Sequence, residues 1–443
     1  MTSRAEVAVV GAGLAGSLLA CYLARRGYRV VLYERRSDPR TGTVERGRSI
    51  NLALSHRGLD ALRRVGLDTT VMADALPMHG RMIHPRSGPL DFQRYSLDGQ
   101  RAINSISRGA LNNALLAQAT KHDEVTVHFE HRLVGLDPGT ATMTFETPGG
   151  TVTAGAGVVL GADGIGSGVR GALLERGLVH ERLDFLDYGY KELTIPARDG
   201  AFVLDPGALH IWPRGTSMMI ALPNPDHSFT CTLFWPLSGT ASFASLTSAA
   251  AIRRYFTAAY PDVVALMPDL VDDYQNNPTG MLGTLYTAPW HAAGRVALVG
   301  DAAHAIVPFY GQGANAAFED VVELDRCLDS TRDTWAQALP LYQRRRADNS
   351  AAIAGMALDN FVEMRDKVTS PVFRATRAVE HALERALPGR YLSRYELVSF
   401  STRPYADVVA RIRRQHQVLA AAAVGVALGL AAATHVVYHR GRR

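Results

Sequence analysis

The sequence predicts an α/β fold: a Rossmann-like dinucleotide-binding domain, interrupted by an inserted β-sheet domain and completed by a helical C-terminal region. Three observations carry this expectation. The β-branched run Val7 to Val10 leads directly into Gly11, Gly13 and Gly16 at G-x-G-x-x-G spacing. Far downstream, a second apolar run, Arg295 to Gly300, brings Asp301 to a strand end. Between them, from about residue 181 to 285, short apolar segments alternate with turns, the pattern of a sheet.

In the first segment each glycine has its own task. Gly11 permits the tight turn, Gly13 lets backbone approach a pyrophosphate, and Gly16 allows close packing of the helix Leu14 to Arg26 on the strand. The helix N-terminus then faces the phosphate charge. After Gly27, Tyr28 to Tyr33 reads as a second strand that delivers Glu34, expected to accept a ribose hydroxyl.

The remaining elements follow in order. Gly47 to Arg57 reads as a loop entering a strand, Ser55 to Val65 as a short helix, and residues 108 to 121 have apolar positions at helical spacing. Val125 to Phe129 and Thr142 to Phe145 read as strands around a D-P-G turn. Val158 to Arg170 holds a third strand-to-glycine junction. Strands and turns then continue to about residue 285, among them Leu209 to Trp212, Ser217 to Leu222 and Phe229 to Phe234, and Gly294 to Gly300 returns the chain to the first domain. The expected domains are residues 1–180 with 286–330 for the nucleotide, 181–285 for the inserted sheet, 331–416 for the helical region, and a separate segment at 418–438.

Composition narrows the function. A chain of 443 residues that is 47% hydrophobic can bury a large core and by size holds two closely associated domains. Cys21, Cys231 and Cys327 lie far apart, so neither a disulfide framework nor a thiolate metal site is indicated, and a reducing compartment fits. The six residues before the first strand are expected to leave no room for a cleavable leader. The formal charge of +5 is uneven: residues 403–443 hold seven arginines, no lysine and one acid, Asp407, so this tail carries +6 and the body about −1. A nucleic-acid surface is not expected. Between the arginine clusters, Val418 to Tyr438 is an Ala/Val/Leu-rich run of spanning length. It is expected to associate with a membrane while the body stays cytoplasmic; the alternative is a buried C-terminal helix.

Three motifs in order, G-x-G-x-x-G with Glu34, G-A-D-G-x-x-S at Gly161 to Ser167 and G-D-A-A-H-A-x-x-P at Gly300 to Pro308, resemble the fingerprints of class A flavoprotein aromatic hydroxylases. Within that class, G-R-S-I-N-L-A-L-S-H-R-G, G-R-M-I-H at Gly80 to His84, D-Y-G-Y-K-E-L at Asp187 to Leu193, H-I-W-P-R-G at His210 to Gly215, P-F-Y-G-Q-G-A-N-A-A-F-E-D and D-N-F-V-E-M-R at Asp359 to Arg365 resemble the kynurenine 3-monooxygenase family. The similarity spans essentially the whole chain. Departures are small: Ala314 stands where relatives often carry methionine, and Tyr310 follows Phe309.

The resemblance implies a glutathione-reductase-type FAD domain whose cofactor contacts come from Gly11, Gly13, Leu14, Ala15, Gly16, Glu34, Arg35, Arg108, Asp163, Asp301, Pro308, Gly311, Gly313, Ala314 and Asn315. Residue chemistry agrees at several of these. Asp301 is placed to bond a ribityl or ribose hydroxyl, or to cap the helix that follows. Gly311 and Gly313 let backbone approach an isoalloxazine ring, and the helix from Ala314 to about Cys327 aims its N–H groups at it. Arg108 resembles a second flavin-contacting arginine, with a surface role as the alternative. His304 reads as a packed histidine bonded to backbone rather than as a catalyst.

For the substrate, an amino acid's carboxylate suits an arginine fork, and Arg81 is the candidate. The resemblance adds Tyr95 and Tyr395 as carboxylate ligands. Asn360 and Glu363, three apart, share a helix face for the other polar groups. Leu209, Ile220, Leu222, Phe234, Phe309 and Met364 resemble the family's apolar pocket lining, and Ile220 and Leu222 share one strand face.

The implied reaction reduces FAD with NADPH, forms a flavin C4a-hydroperoxide with O2, and converts L-kynurenine to 3-hydroxykynurenine. No metal cluster or nucleophilic triad is seen. A hydroxylase of another aromatic acid, an FAD-dependent reductase, or a noncatalytic flavin-binding or membrane-tethering protein remain alternatives. Nothing in the sequence specifies the number of subunits.

Overall fold

The computed structural model describes residues 6–41, 51–96, 98–367 and 370–421. Its centre is a six-stranded sheet in the spatial order His291–Ala292, Val296–Leu298, Val158–Gly161, Val7–Val10, Val30–Tyr33, Val125–His128. All neighbours are parallel except the first pair. Val7–Val10 lies mid-sheet and is buried throughout, which is why its sequence is continuously apolar rather than alternating. The glycine turn is dictated by backbone proximity. A Cβ on Gly16 would lie 1.9 Å from the Gly11 carbonyl oxygen, and Gly11 itself has φ +101° with the Ala162 carbonyl 2.5 Å from where its Cβ would be.

The second strand begins at Val30 rather than at Tyr28. The Tyr28 N–H instead donates to the Leu23 carbonyl at 3.1 Å and Gly27 takes a positive φ, so these residues finish the helix Leu14–Arg25. The strands Arg132–Asp137, Thr142–Thr147 and Gly150–Gly155 form an antiparallel meander on this domain, and Leu52–Leu54, Ile103–Ile106 and Leu76–Met78 form a further small sheet.

A seven-stranded sheet runs in the order Gly280–Ala288, His180–Ile195, Phe229–Pro236, Met218–Pro223, Ala208–Pro213, Gly80–Ile83, Asp91–Arg94. It takes its last two strands from outside 181–285, and Gly80–Ile83 joins Ala208–Pro213 in parallel, with Leu209 opposite Arg81. One face packs on helices Ala249–Ala259 and Leu270–Asn276 through Trp212, Trp235, Phe256 and Tyr260. These helices stand where only strands and turns are expected from the sequence. Ser248 caps the first by accepting the Ala251 N–H, and Ile252, Phe256 and Ala259 bury one stripe, a period short enough to be masked by its alanine-rich surroundings.

The opposite face meets the helix Trp335–Val362, which changes to a π turn at Glu363–Lys367. The helices Pro371–Ala386, Arg394–Ser399 and 405–421 follow. Among the described residues no helix is long and apolar enough to cross a membrane. The expected 418–438 segment lies outside the described residues beyond position 421, as does the Gly47 to Ile50 part of the loop leading to Leu52.

Candidate active site

Gly13 caps the helix Leu14–Arg25 without any side-chain hydrogen bond, and a Cβ added there would meet nothing within 4 Å. The space over this helix end is therefore open and lined by backbone N–H groups, the form a pyrophosphate requires. Leu14 is buried and Ala15 half-buried in the first turn. Glu34 is buried at the end of its strand, where its carboxylate accepts the Ala12 N–H at 2.9 Å and the Arg36 N–H and Nε at 3.0 and 2.8 Å. Burial raises its pKa, but Arg36 and Ala12 more than offset this and hold the carboxyl below its usual range. Arg35 is exposed beside it.

The second and third fingerprints converge on this end of the sheet. Gly300 has φ +62°, and its Cβ would fall 3.0 Å from Ala317 and 3.4 Å from Ala15, so the late motif sits directly against the first. Gly300, not Asp301, is the cap of the short helix Asp301–His304, and no side chain makes a capping bond there. The Asp301 carboxyl is raised by burial and lowered by Arg108, which opens the helix Arg108–Ala119 nearby and is itself exposed. Asp163 accepts the Val169 N–H at 3.2 Å through Oδ2, whereas its buried Oδ1 has no partner; burial raises its pKa. Asp163 thus keeps an unused acceptor oxygen, and Asp301 directly follows the Gly300 turn that touches Ala15, so the residues present fit a dinucleotide with hydroxyl donors.

The segment Pro308–Tyr310 leads through Gly311, at φ +64°, to Gln312, which caps the helix Gly313–Ser330. A Cβ on Gly313 meets nothing within 4 Å, leaving room for a planar ring against the helix start. Ala314 is half-buried. Asn315 fixes the geometry from behind: Oδ1 accepts the Ser55 N–H at 3.0 Å, and Nδ2 donates to the Ala53 and Gly311 carbonyls, both at 2.9 Å. Its side chain is thus committed to protein backbone.

His304 departs from expectation. Its Nε2 pairs with the carboxylate of fully buried Asp320 at 2.6 Å rather than with backbone, and Arg346 Nε donates to the other oxygen at 2.6 Å. Burial raises the Asp320 pKa, yet His304 and Arg346 outweigh it and leave it lowered. Asp320 also accepts the Gly300 N–H at 3.0 Å, so it holds the turn before Asp301.

Arg81 lies 4.9 Å from the Tyr395 ring centroid, and Tyr95 and Tyr395 stack at 4.6 Å. The guanidinium is buried, and its Nε has no hydrogen-bond partner. Burial works against its charge, but the oxygens of Tyr395, Tyr95 and Glu363 prevail and raise its pKa. Burial pushes both tyrosine hydroxyls above their usual range. Glu363 approaches Arg81 NH1 at 3.6 Å and Arg394 NH2 at 3.0 Å. Asn360 and Glu363 are both buried, and Asn360 Nδ2 donates to the Phe309 carbonyl at 2.6 Å and contacts the Met364 sulfur at 3.2 Å.

The apolar residues fall in two adjoining clusters. Leu222 packs with Tyr95, Met78 and Ile103, while Phe234, Phe309 and Met364 pack with Phe361; Leu209, Ile220 and Tyr395 touch both clusters. Phe309 stacks on Phe361 at 4.2 Å and lies 4.8 Å from Phe234, joining the Pro308–Tyr310 turn to this slot. Met219 and Ala221 point to the opposite face, in the cluster of Trp212, as strand alternation requires. Phe361, Asp320, Arg346 and Arg394 were not singled out by sequence. Phe361 lies inside the D-N-F-V-E motif, Asp320 closes the P-F-Y-G-Q-G-A-N-A-A-F-E-D motif and Arg394 precedes Tyr395, so each carried a local signal; Arg346 carried none.

Comparison with known proteins places this arrangement. The family model described as an FAD binding domain matches residues 4–355. The kynurenine 3-monooxygenase of Myxococcus xanthus is 50% identical over 402 residues, covering 90% of this chain and 86% of that protein. The one from Dictyostelium discoideum is 45% identical, covering 90% of this chain and 89% of its own. In fold, the chain resembles 2-methyl-3-hydroxypyridine-5-carboxylic acid oxygenase, with a TM-score of 0.67 at 20% identity over 84% of this chain and 95% of that one. It likewise resembles p-nitrophenol 4-monooxygenase from Pseudomonas putida, with a TM-score of 0.66 at 20% identity over 85% of this chain and 93% of that one. The chain belongs to the kynurenine 3-monooxygenase family of FAD-binding proteins.

Proposed function

We infer that the protein is an FAD-dependent monooxygenase that hydroxylates L-kynurenine to 3-hydroxykynurenine, with NADPH as reductant and O2 as oxidant. The carrying observation is the buried Arg81, its Nε unpaired, at the polar end of an apolar slot whose far wall includes Phe309 from the flavin-side turn. Curated relatives with 44–50% identity bear the same activity in their names, which supports the reading.

Bound FAD supplies the oxygen chemistry: two electrons from NADPH allow one atom of O2 to enter the ring while the other leaves as water. The helix end at Gly11, Gly13 and Gly16, with Leu14 and Ala15 in its first turn, would hold the pyrophosphate, Glu34 beside Arg35 would accept ribose hydroxyls, and Asp163 and Asp301 would accept further hydroxyls. Arg108 and the Pro308, Gly311, Gly313, Ala314 and Asn315 segment would hold the ring.

The other residues bind, orient and exclude water. Arg81 with Tyr95 and Tyr395 takes the carboxylate as a charge-assisted, multiply bonded anchor. Glu363 accepts the ammonium, and Asn360, held by the Phe309 carbonyl, fixes the slot's edge. Leu209, Ile220, Leu222, Phe234, Phe309 and Met364 hold the aromatic ring and keep it dry. The substrate's aniline amino group activates the ortho carbon, so no protein base at the ring is required.

We further propose a division of labour in which residues 1–180 with 286–330 hold FAD, 181–285 with the strands 80–83 and 91–94 form the substrate cover, and 331–416 close the polar end. The run 418–438 associates with a membrane while the body remains cytoplasmic, a reading supported by its arginine-flanked apolar sequence and by three unpaired cysteines. The deciding experiment incubates purified protein with NADPH and L-kynurenine, measuring O2 uptake and product mass. A mass gain of one oxygen atom with matched O2 uptake is expected; NADPH oxidation without hydroxylated product overturns the assignment.

A further inference from the structure

The polar end of the slot holds more charge than the anchor alone explains. Arg81 and Glu363 are both buried, and only 3.6 Å separates NH1 from Oε1. A carboxylate so close to the guanidinium competes with any incoming anion for the same N–H groups. The other Glu363 oxygen, however, is bonded by Arg394 NH2 at 3.0 Å, and Arg394 NH1 reaches Asp359 at 3.4 Å. Contact with Arg394 is thus markedly closer than contact with Arg81.

Position explains how this preference is built. Glu363 is the first residue of the π turn that ends the long helix, where the change in helical repeat re-aims the side chain. Arg394 opens the helix Arg394–Ser399, whose cap Ser393 accepts the Glu396 N–H, and the next residue, Tyr395, enters the slot. One short helix therefore presents Tyr395 to Arg81 and Arg394 to Glu363. Arg394 also lines an open groove of about 500 Å³ with Met356, Val409, Ile412 and Arg413, so its charge is only partly desolvated.

We propose that Arg394 is a positioning residue for the substrate: it draws Glu363 off Arg81, leaving the Arg81 fork to the substrate carboxylate and the Glu363 carboxylate to the ammonium. The inference rests on the reading of the substrate as an aromatic amino acid. It assigns the site an ordered charge alternation, Arg394, Glu363, Arg81, into which a zwitterion fits without leaving any buried charge unpaired. Without Arg394, Glu363 closes on Arg81 and blocks the anchor from within.

The test measures binding to the FAD-loaded enzyme, as Kd from the change in flavin absorbance, for L-kynurenine and for its des-amino analogue 3-(2-aminobenzoyl)propionate. Arg394→Gln should weaken both ligands by on the order of tenfold, the effect of losing a charged hydrogen bond, with FAD content unchanged. Arg394→Lys should recover most of the loss. The double variant Arg394→Gln/Glu363→Gln should restore binding of the des-amino analogue but not of kynurenine, because a neutral amide no longer competes for Arg81 yet cannot pair with the ammonium. A merely structural arginine would give no such rescue. Unchanged Kd in Arg394→Gln, or a double variant no better than the single one for the analogue, overturns the proposal. Wild-type enzyme that binds neither ligand overturns the substrate reading instead.

Discussion

Gln415 grips both backbone groups of Leu392: its Nε2 donates to the Leu392 carbonyl at 2.9 Å, and its Oε1 accepts the Leu392 N–H at 3.3 Å. Arg411 adds bonds from its NH2 to the Gly389 and Arg390 carbonyls at 2.9 and 3.2 Å. The helix 405–421 thus fixes the strand of chain that delivers Arg394 and Tyr395. Breaking this grip with Gln415→Ala loses two hydrogen bonds at half-buried positions, each worth about 1 kcal/mol. The expected outcome is a kynurenine KM raised roughly fivefold by loosened positioning, with flavin content intact. Steady-state kinetics and the flavin-to-protein absorbance ratio check it.

The glycine turn permits a sharper contrast. A side chain at Gly13 meets no protein atom, whereas one at Gly16 would collide with the Gly11 carbonyl. Gly13→Val should therefore yield folded protein with little FAD, because the valine occupies space needed by the phosphate. Gly16→Val should compromise folding itself. Glu34→Ala should weaken FAD, since it removes the ribose acceptor and also releases the Ala12 N–H that the carboxylate holds in the glycine turn. Circular dichroism separates folding from cofactor loss, and full flavin occupancy in Gly13→Val defeats the site.

Arg81→Ala should raise the kynurenine KM by at least about tenfold or abolish turnover, as expected when a buried, charge-assisted anchor is lost. FAD should remain bound, since the residues facing the pyrophosphate lie on other elements. Unaltered kinetics would move the anchor to another arginine.

The contrast between these residues shows what a sequence makes legible. Gly13 and Glu34 stand out because the chemistry is local: a turn that admits backbone to a phosphate, and an acid at the end of the next strand. Arg81 is legible through its motif, but its parallel pairing with Leu209 comes from a strand far along the chain. Asp320 is indistinguishable in sequence from its neighbour Glu319, and only tertiary packing turns it onto His304 and Arg346. Arg394 likewise gains meaning from Glu363, 31 residues away. Charged partners chosen across helices leave no periodic trace.

A pH dependence follows from the histidine pair behind the Arg81 strand. His84 Nε2 meets His210 Nδ1 at 2.8 Å, while its Nδ1 meets Asp262 at 3.1 Å, beside Trp212 and Arg214. Burial and His210 lower the His84 pKa from 6.5 to about 4 despite Asp262. Because the folded value lies below the unfolded one, the unfolded chain binds the extra proton first as pH falls. The stability that His84 contributes is thus fully present above its unfolded pKa of 6.5 and is lost as pH falls towards about 4, the folded value. His84→Gln, which cannot titrate, should lower Tm at neutral pH yet flatten its decline across that window. An equal slope in both proteins would show that other groups dominate.

The last prediction concerns the tail. The described part of the helix 405–421 carries Gln415 inward and exposes Val418, directly before the Ala/Val/Leu-rich run to Tyr438. A run of that length between arginine clusters suits a hydrocarbon core better than an aqueous surface. Ending the chain after residue 416 retains Gln415 and the Leu392 grip but removes the apolar run. The shortened protein should move from the membrane fraction to the soluble one, keep its FAD, and show a kynurenine KM within about twofold of the full chain, because the tail's effect on the site passes through Gln415. Full-length protein that is soluble without detergent, together with unfolding of the shortened form, would instead identify the segment as a helix packed on the body.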